Sequence, residues 1–509
     1  MDRPLPVPVN RSRARIKRYA LTATVLMAVV FGVGALPVVF LYFWMPSKEQ
    51  AGEQASSQIG AVGASQPQQS PRHNKDQAVA FVDVNVAPMD REQILTGQTV
   101  VVKDGMIVDM GASDKVKAPA GALRIDGRGK YLMPGLADLH IHLSDYNERH
   151  NAAMLRLYVA NGVTTILNLY GTPHHLELRA KIRSGAIFGP ELYTSGPFIS
   201  NAPVHTPTPD EVERDVVEQK RAGYDFIKIH GDFSRDAYHR LFQVARREGM
   251  RVIGHAPRNL GVEPMLEERQ DAVAHAEEYL DAYFFYKMDE SVKSTDQETQ
   301  LRFIAGQEKK IPFIAQATAK AGTWVVANLE AYRNIALQIE DLDAALKREG
   351  VKYIIPDIAP HWMPEQNTYA RRFKRESAPR FRAQYHLLEK TVKGFHDAGV
   401  RLLAGTDALN PCVAPGFSLH DELRNLVAAG LTPYEALRTA TINAAEFLGA
   451  TSGVVAVGKR ADLILVNGDP LKDVSNASRR VGVMLRGQWL EEDELRRMLD
   501  TLAARNPGR

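Results

Sequence analysis

The chain has 509 residues, 45% of them hydrophobic, a formal charge of +3 and a single cysteine. That length supports one large enzyme-sized domain plus a smaller one. So small a net charge, part of it crowded into Arg3, Arg11, Arg13, Arg15, Lys17 and Arg18, argues against nucleic acid as a partner, and no nucleic-acid-binding signature is present. With Cys412 alone, an intramolecular disulfide and a cysteine-based metal site are both excluded.

No residue from Tyr19 to Ser47 is charged, and the run ALTATVLMAVVFGVGALPVVFLYFWM is long enough to span a bilayer as a helix at about 1.5 Å per residue. Tyr42 and Trp44 stand at its far end, where interfacial aromatics belong. The apolar run exceeds the roughly 7–15 residues of a signal-peptide core and lacks an A-x-A site, which favours an uncleaved anchor. The expected layout is a cytoplasmic basic segment over 1–18, a transmembrane anchor over 19–46 and a flexible linker over 47–77. The basic N-terminus predicts a single-pass inner-membrane protein with its N-terminus inside and the catalytic domain periplasmic or otherwise extracytoplasmic.

Beyond the linker, VAFVDVNV, QTVVVKDGMIVDMG and LRIDGRGKYL alternate as short strands do, and Asp104-Gly105 is a hairpin signal. The same texture returns in GVVAVGKRADLILVNGD and VGVMLRGQWL. A small β-sandwich assembled from both ends, residues 78–133 and 451–492, is the expectation, followed by a tail helix over 493–509. Between them, short apolar runs alternate with helical patterns. Expected strands are Leu136–His142, Thr164–Leu169, Glu191–Ser195, Phe226–His230, Val252–His255, Ala272–His275, Thr323–Leu329 and Val400–Asp407. Eight strand-then-helix units over 134–450 fit an α/β (β/α)8 TIM barrel, whose active site lies at the C-terminal ends of the strands. Thr432, Pro433 and Glu435 supply a helix start and Gly449 a helix end. The stretches Phe285–Lys309 and Glu330–Lys393 are long for barrel connections and read either as a substrate-binding insertion or as a solvated helical hairpin.

Chemistry concentrates in GLADLHIHL. Asp138, His140 and His142 alternate, so on a strand they share one face, and two imidazoles so spaced can reach one cation while Asp138 sits one step deeper. Lys228 in DFIKIHGD, His255 in VIGHAP, His275 in AVAHAEE and Asp407 in LLAGTDA fall at the catalytic ends of later strands. His230, His205 and Tyr279 are weaker candidates for substrate contacts, His420 is a weaker candidate near the same face, and His174 and His175 read as a solvated pair.

The runs YLMPGLADLHIHL, DFIKIHGD, GHA, AHAEE, AGTDA, ELRNLVAAGLTPYEALRTATINAAEFLG and GVVAVGKRADLILVNGDPL, in this order from about Ala78 to Leu490, resemble the metal-dependent amidohydrolase superfamily, especially its imidazolonepropionase-like and Xaa-Pro dipeptidase-like members. The resemblance implies a binuclear centre, usually Zn2+, with His140, His142 and Asp407 on one ion and His255 and His275 on the other. Lys228 would bridge both as a carbamate, since an unmodified ammonium has no acceptor for a cation. It also implies hydrolysis of a C–N bond in a small amide, cyclic amide or dipeptide, with metal-activated hydroxide as nucleophile and Asp407 as the catalytic proton acceptor. Two departures bear on substrate. IHGD follows Lys228 where relatives carry an SGG-type run, and GHAPRN stands where HAHG is common. A mononuclear deaminase or ring-opening hydrolase, with Lys228 structural or substrate-binding, stays open beside the leading reading. So does a non-catalytic tethered binding or sensory barrel, and so does oligomerisation.

Overall fold

The computed structural model describes residues 77–145, 147–200, 205–286, 296–354, 356 and 358–504. The basic segment 1–18, the anchor 19–46 and nearly all of the linker lie outside them, as do residues 505–509. Among the described residues no helix is long and apolar enough to cross a membrane.

The fold is mixed α/β, and it begins with strands β1 (Val79–Val86), β2 (Leu95–Lys103), β3 (Met106–Ala112), β4 (Leu123–Asp126) and β5 (Lys130–Pro134). β1 pairs antiparallel with β2, and β2 with β3, while β4 and β5 run parallel to β1. The β2–β3 turn is the expected one, with Asp104 and Gly105 both at positive φ.

Next come eight strands separated by helices. They are β6 (Leu136–Ile141), β7 (Val163–Asn168), β8 (Glu191–Thr194), β9 (Phe226–Ile229), β10 (Arg251–Gly254), β11 (Ala272–Val273), β12 (Trp324–Val326) and β13 (Leu402–Leu403). Helices α1 (Glu148–Ala160), α2 (Pro173–Arg183), α3 (Pro209–Ala222), α4 (Arg235–Glu248), α5 (Val262–Glu267), α6 (Ile311–Ala321), α7 (Leu329–Glu340) and α8 (Ala378–Asp397) alternate with them. Parallel pairings join β6 to β7 to β8 and β9 through to β13. Parallel bridges Ser195–Phe226 and Ile141–Ala408 link the two sets, so the pairing returns to its start. Parallel strands buried on both faces read as continuous apolar runs, as β6, β7 and β9 do.

The expected strand ends were too long at three places. β11 and β13 stop after two residues each, so His275 and Asp407 lie in loops beyond them. β12 stops at Val326 because Asn328 takes a left-handed conformation, φ 47, and starts α7. A solvated hairpin over Glu330–Lys393 is also excluded, since α7 buries Leu329, Tyr332 and Ile335.

Helices α9 (Phe417–Ala428), α10 (Pro433–Thr439) and α11 (Ile442–Leu448) follow, then β14 (Leu463–Asn467), β15 (Arg480–Leu485), β16 (Gln488–Glu491) and α12 (Glu492–Ala503). Thr432 and Glu435 form the expected capping box, and Gly449 ends α11 in a left-handed turn, but two helices occupy the span. β14 pairs with β5, so both ends of the described chain build one sheet, ordered β16-β15-β14-β5-β1-β2-β3. The two faces of the expected sandwich are therefore one continuous sheet folded over. Phe81 on β1 meets Trp489 on β16 edge-on at 5.2 Å although three strands separate them, around a core of Val79, Val100, Leu132, Leu463 and Met484.

His420 ties this sheet to the ring. Its Nε2 lies 2.9 Å from the Asn161 carbonyl at the end of α1 and 3.2 Å from Arg480 on β15. Burial, with Arg480 beside it, pushes its pKa down to about 3. A buried neutral imidazole must be charged to unfold in acid, so its contribution is complete above the unfolded value of about 6.5 and is lost as pH falls toward about 3. The loss is about 5 kcal/mol. His420→Gln, which keeps an N–H for the Asn161 carbonyl, shifts the acid-unfolding midpoint to lower pH; coincident midpoints by circular dichroism would refute this assignment.

Candidate metal centre

At the C-terminal end of the ring, Asp138 pins β6 to the turn after β13. Its Oδ1 accepts from the Thr406 amide at 3.0 Å and its Oδ2 from the Thr406 hydroxyl at 2.7 Å. Burial raises its pKa to about 7 against those hydrogen bonds. The Asp407 amide donates to the His140 carbonyl at 2.7 Å, which seats Asp407, at φ 56, opposite both β6 histidines. Asp407 Oδ1 then lies 2.9 Å from His142 Nε2 and 3.3 Å from His140 Nε2.

The protons decide what this cluster can hold. Burial drives the pKa of His140 well below its usual value, so the ring is neutral, and its Nδ1 lies 3.0 Å from the Ala274 carbonyl, which can only accept. The Nδ1–H is thereby assigned, and Nε2 is a bare lone pair with no hydrogen-bond partner facing a carboxylate oxygen. Two acceptors face each other, and a cation held between them would convert repulsion into attraction. Asp407 is pulled up by burial, yet the His142 hydrogen bond and the charges of His142, His275 and Lys228 hold it below the usual carboxylate value. It therefore stays anionic.

His255 and His275 form a second group with Glu278, their ligand atoms within 4.8 Å of one another. His255 Nδ1 is 3.2 Å from Glu278 Oε1, and His275 Nδ1 is 3.5 Å from Glu277 Oε1. His275 Nε2 reaches to 3.9 Å from Asp407 Oδ2, joining the two groups, and the His275 ring stacks on His140 at 4.5 Å. Lys228 on β9 is fully buried and its Nζ has no hydrogen-bond partner. Burial lowers its pKa to about 8, opposed by Asp407 and Glu278. An amine so placed spends part of its time neutral and nucleophilic, which is what carboxylation by CO2 requires. The donor set thus fits divalent cations, with His140, His142 and Asp407 for one and His255 and His275 for a second.

The structure gathers Asp138, His140, His142, Lys228, His255, His275 and Asp407 into one site. His230 joins them, its ring 4.3 Å from His255 and stacked on Phe198 at 4.9 Å. Tyr279 is placed elsewhere, because its hydroxyl meets Thr318 at 3.1 Å and its ring packs on Phe395 in the helical layer. His205 is mostly exposed and pairs with Glu211 at 3.3 Å in the first turn of α3. His175 is buried rather than solvated, spanning Thr172 and the Ser144 carbonyl as part of the α2 cap. Sequence reasoning missed Glu277, Glu278, Arg258 and Asn328. The signal for the acids was the doubled carboxylate that begins two residues after His275 in HAEE.

With this geometry in place, comparison with known proteins is specific. The amidohydrolase family model matches residues 131–490. The chain belongs to the amidohydrolase family, enzymes that hydrolyse carbon–nitrogen bonds. Among curated proteins, ochratoxinase of Aspergillus niger is 24% identical over 413 residues, 75% of this chain and 79% of that one. Enamidase of Eubacterium barkeri is 34% identical over 87 residues, which span 16% of this chain and 22% of the enamidase. Among solved structures, bottromycin amidohydrolase superposes with a TM-score of 0.67 at 22% identity, covering 86% of this chain and 92% of that one. A Xaa-Pro dipeptidase with bound methionine gives 0.57 at 20% identity, covering 82% and 100%.

If the Asp138–Thr406 contact seats the Asp407 turn, Thr406→Val leaves a buried carboxylate oxygen without its donor. That costs about 1–3 kcal/mol in denaturant unfolding. An unchanged midpoint would remove the contact from the account of the site.

Proposed function

We propose that the protein is a membrane-anchored, metal-dependent amidohydrolase that hydrolyses the C–N bond of a small amide, cyclic amide or dipeptide outside the cytoplasm. In this reading the closed strand ring is a (β/α)8 barrel, and His140, His142, Asp407, His255, His275 and a carboxylated Lys228 would hold two Zn2+ ions. The observation that carries it is the continuity of the two donor groups through Asp407 and His275, 3.9 Å apart, together with a buried, partnerless Lys228 amine that feels the charges of Asp407 and Glu278. Ions held there would lower the pKa of water and polarise a substrate carbonyl. Asp407 takes the proton of the attacking water and delivers it to the leaving nitrogen. Its anionic state in a buried setting suits that role, and Asn410, donating to its Oδ2 at 2.6 Å, orients it. His230, at the edge of the second histidine pair, contacts substrate. The names of the similar proteins support amide chemistry without selecting a substrate. The anchor rests on the uncharged stretch Tyr19–Ser47 behind a basic N-terminus.

Elemental analysis of the chain purified without chelators yields about two zinc ions per chain on this reading. One ion would remove Lys228 from the ligand set and favour the mononuclear deaminase or ring-opening alternative. A metal-free folded protein would favour a binding role.

Lys228→Ala lowers metal occupancy and is partly restored by small carboxylic acids, which replace the carbamate oxygens. Unchanged occupancy would refute the bridge. Asp407→Asn keeps the shape but removes the proton acceptor, and turnover falls by roughly 10²–10⁴-fold or more in a dipeptide and acyl-amide panel. Near-normal rates would reassign the base.

A further inference from the structure

The loops that leave β7, β8 and β9 at the catalytic end of the ring each present one aromatic ring, and the three meet. Tyr170 packs on Phe198 at 4.8 Å, and Phe198 stacks on His230 at 4.9 Å with 12° between the planes. His230 in turn reaches His255 at 4.3 Å. The reaction as described uses His230 and leaves Tyr170 and Phe198 without a task.

Backbone contacts fix this wall. The Gly171 amide donates to the Gly196 carbonyl at 3.3 Å and draws the Tyr170 and Phe198 loops together. A Cβ on Gly171 would run into the Ser195 carbonyl oxygen, so glycine is what permits the approach. Past the end of β8, the Ile199 amide donates to the Lys228 carbonyl at 3.0 Å, and Ile199 bridges Ile229 in parallel. Ile199 is buried with Ile229, Val212 and Phe233 in the helical layer. Successive side chains on extended backbone point to opposite faces, which turns Phe198 to the face shared by Lys228 and His230.

We propose that Tyr170 and Phe198, with His230 at their inner end, form an apolar subsite that seats an aromatic group of the substrate beside the scissile amide. This inference rests on the reading of the site as a C–N hydrolase and names its substrate class: small amides that carry an aromatic side chain. Rings that served only to glue the loops together would be buried as Ile199 and Phe233 are, yet Tyr170 and Phe198 are half-buried. Covering them with a ligand ring removes apolar area from water and adds a ring-to-ring contact. Burial, and then the charge of Asp145, holds the Tyr170 pKa above its usual value, so the outer end of the wall is a neutral phenol. Because backbone bonds hold the loops, the rings need little ordering when a ligand arrives.

The test compares three amides on the full chain purified without chelators. They are N-acetylglycine, N-phenylacetylglycine with the ring on the acyl side, and N-acetylphenylalanine with the ring on the amine side. The wild type favours one of the aromatic amides over N-acetylglycine by about 10-fold or more in kcat/KM. Phe198→Leu and Tyr170→Leu, which keep apolar volume without the ring, each reduce that preference several-fold, mainly through KM and at wild-type metal content. Equal kcat/KM for all three amides in the wild type overturns the proposal, and so does a preference unchanged in both variants. A second readout needs no turnover. In the chain labelled with 3-fluorotyrosine, the Tyr170 fluorine signal, identified by its loss in Tyr170→Phe, moves with phenylacetamide and stays in place with acetamide. A signal that phenylacetamide does not move, or that acetamide moves equally, overturns the proposal. Should a leucine variant not fold, the wild-type preference and the fluorine shift decide. Cleavage of none of the three amides counts against the functional reading, while the fluorine shift still judges this one.

Discussion

Ionisable groups packed away from water impose the constraint on which the rest of the molecule depends. Lys228, Asp138, Asp407, Glu278 and the histidines His140, His255 and His275 are all buried at one end of the strand ring. In such surroundings an unpaired charge costs several kcal/mol, and each group must be neutralised, hydrogen-bonded or matched. The observed arrangement divides the task. Backbone and hydroxyl donors from Thr406 hold Asp138, burial keeps His140 and His255 neutral, and Arg258 balances Glu278. What is left is the Asp407 carboxylate, the bare Nε2 of His140 and a lysine amine. That remainder is a candidate donor set for a cation.

The ring geometry explains why these residues could be found from sequence. A parallel strand ending at a loop exposes its last inward-facing side chains, so a polar residue closing an apolar run marks the catalytic end. His140 and His142 obey period two, and Lys228 is the penultimate residue of FIKI on β9. His255, His275 and Asp407 follow equally short apolar runs, although they stand just beyond the paired residues. Glu278 and Arg258 follow no periodicity. They come from loops after β11 and β10, and their meeting depends on how two connections pack, which local pattern does not encode. Asn328 was hidden for another reason. Its left-handed backbone, two residues past Val326, stops β12 from continuing, and the apolar VVANL reads as continuous strand.

The composite sheet shows the same division. Alternation identified its strands at both ends of the chain, and β14 does pair with β5 across more than 300 residues of intervening sequence. Whether the strands formed two sheets or one depended on the parallel addition of β4 and β5 to β1. Parallel pairing within an otherwise antiparallel meander needs a crossover, and the segment between β3 and β4 carries little that announces one.

Helix α7 links the centre to the outer layer. It starts at Asn328, whose Nδ2 lies 3.3 Å from His140 Nδ1, so a shift of its first turn would reach His140 directly. Its position is set by a second buried charge network. The Glu330 amide donates to Glu422 at 2.7 Å, the Glu330 carboxylate takes Arg348 at 2.5 Å and Asn425 at 2.8 Å, and Arg348 also pairs with Asp421. Asn334, one turn on, donates to the Cys412 carbonyl at 2.6 Å, in the loop that begins at Asp407. Burial pushes Glu422 up to about 8, so it is mostly protonated at neutral pH and does not add a second charge beside Glu330. Arg348 is thus shared between the Glu330 and Asp421 carboxylates at the α7–α9 interface. The long connection after β12 serves the centre through that interface, by clamping the helix that stands behind His140 and the loop that carries Asp407 to the same frame.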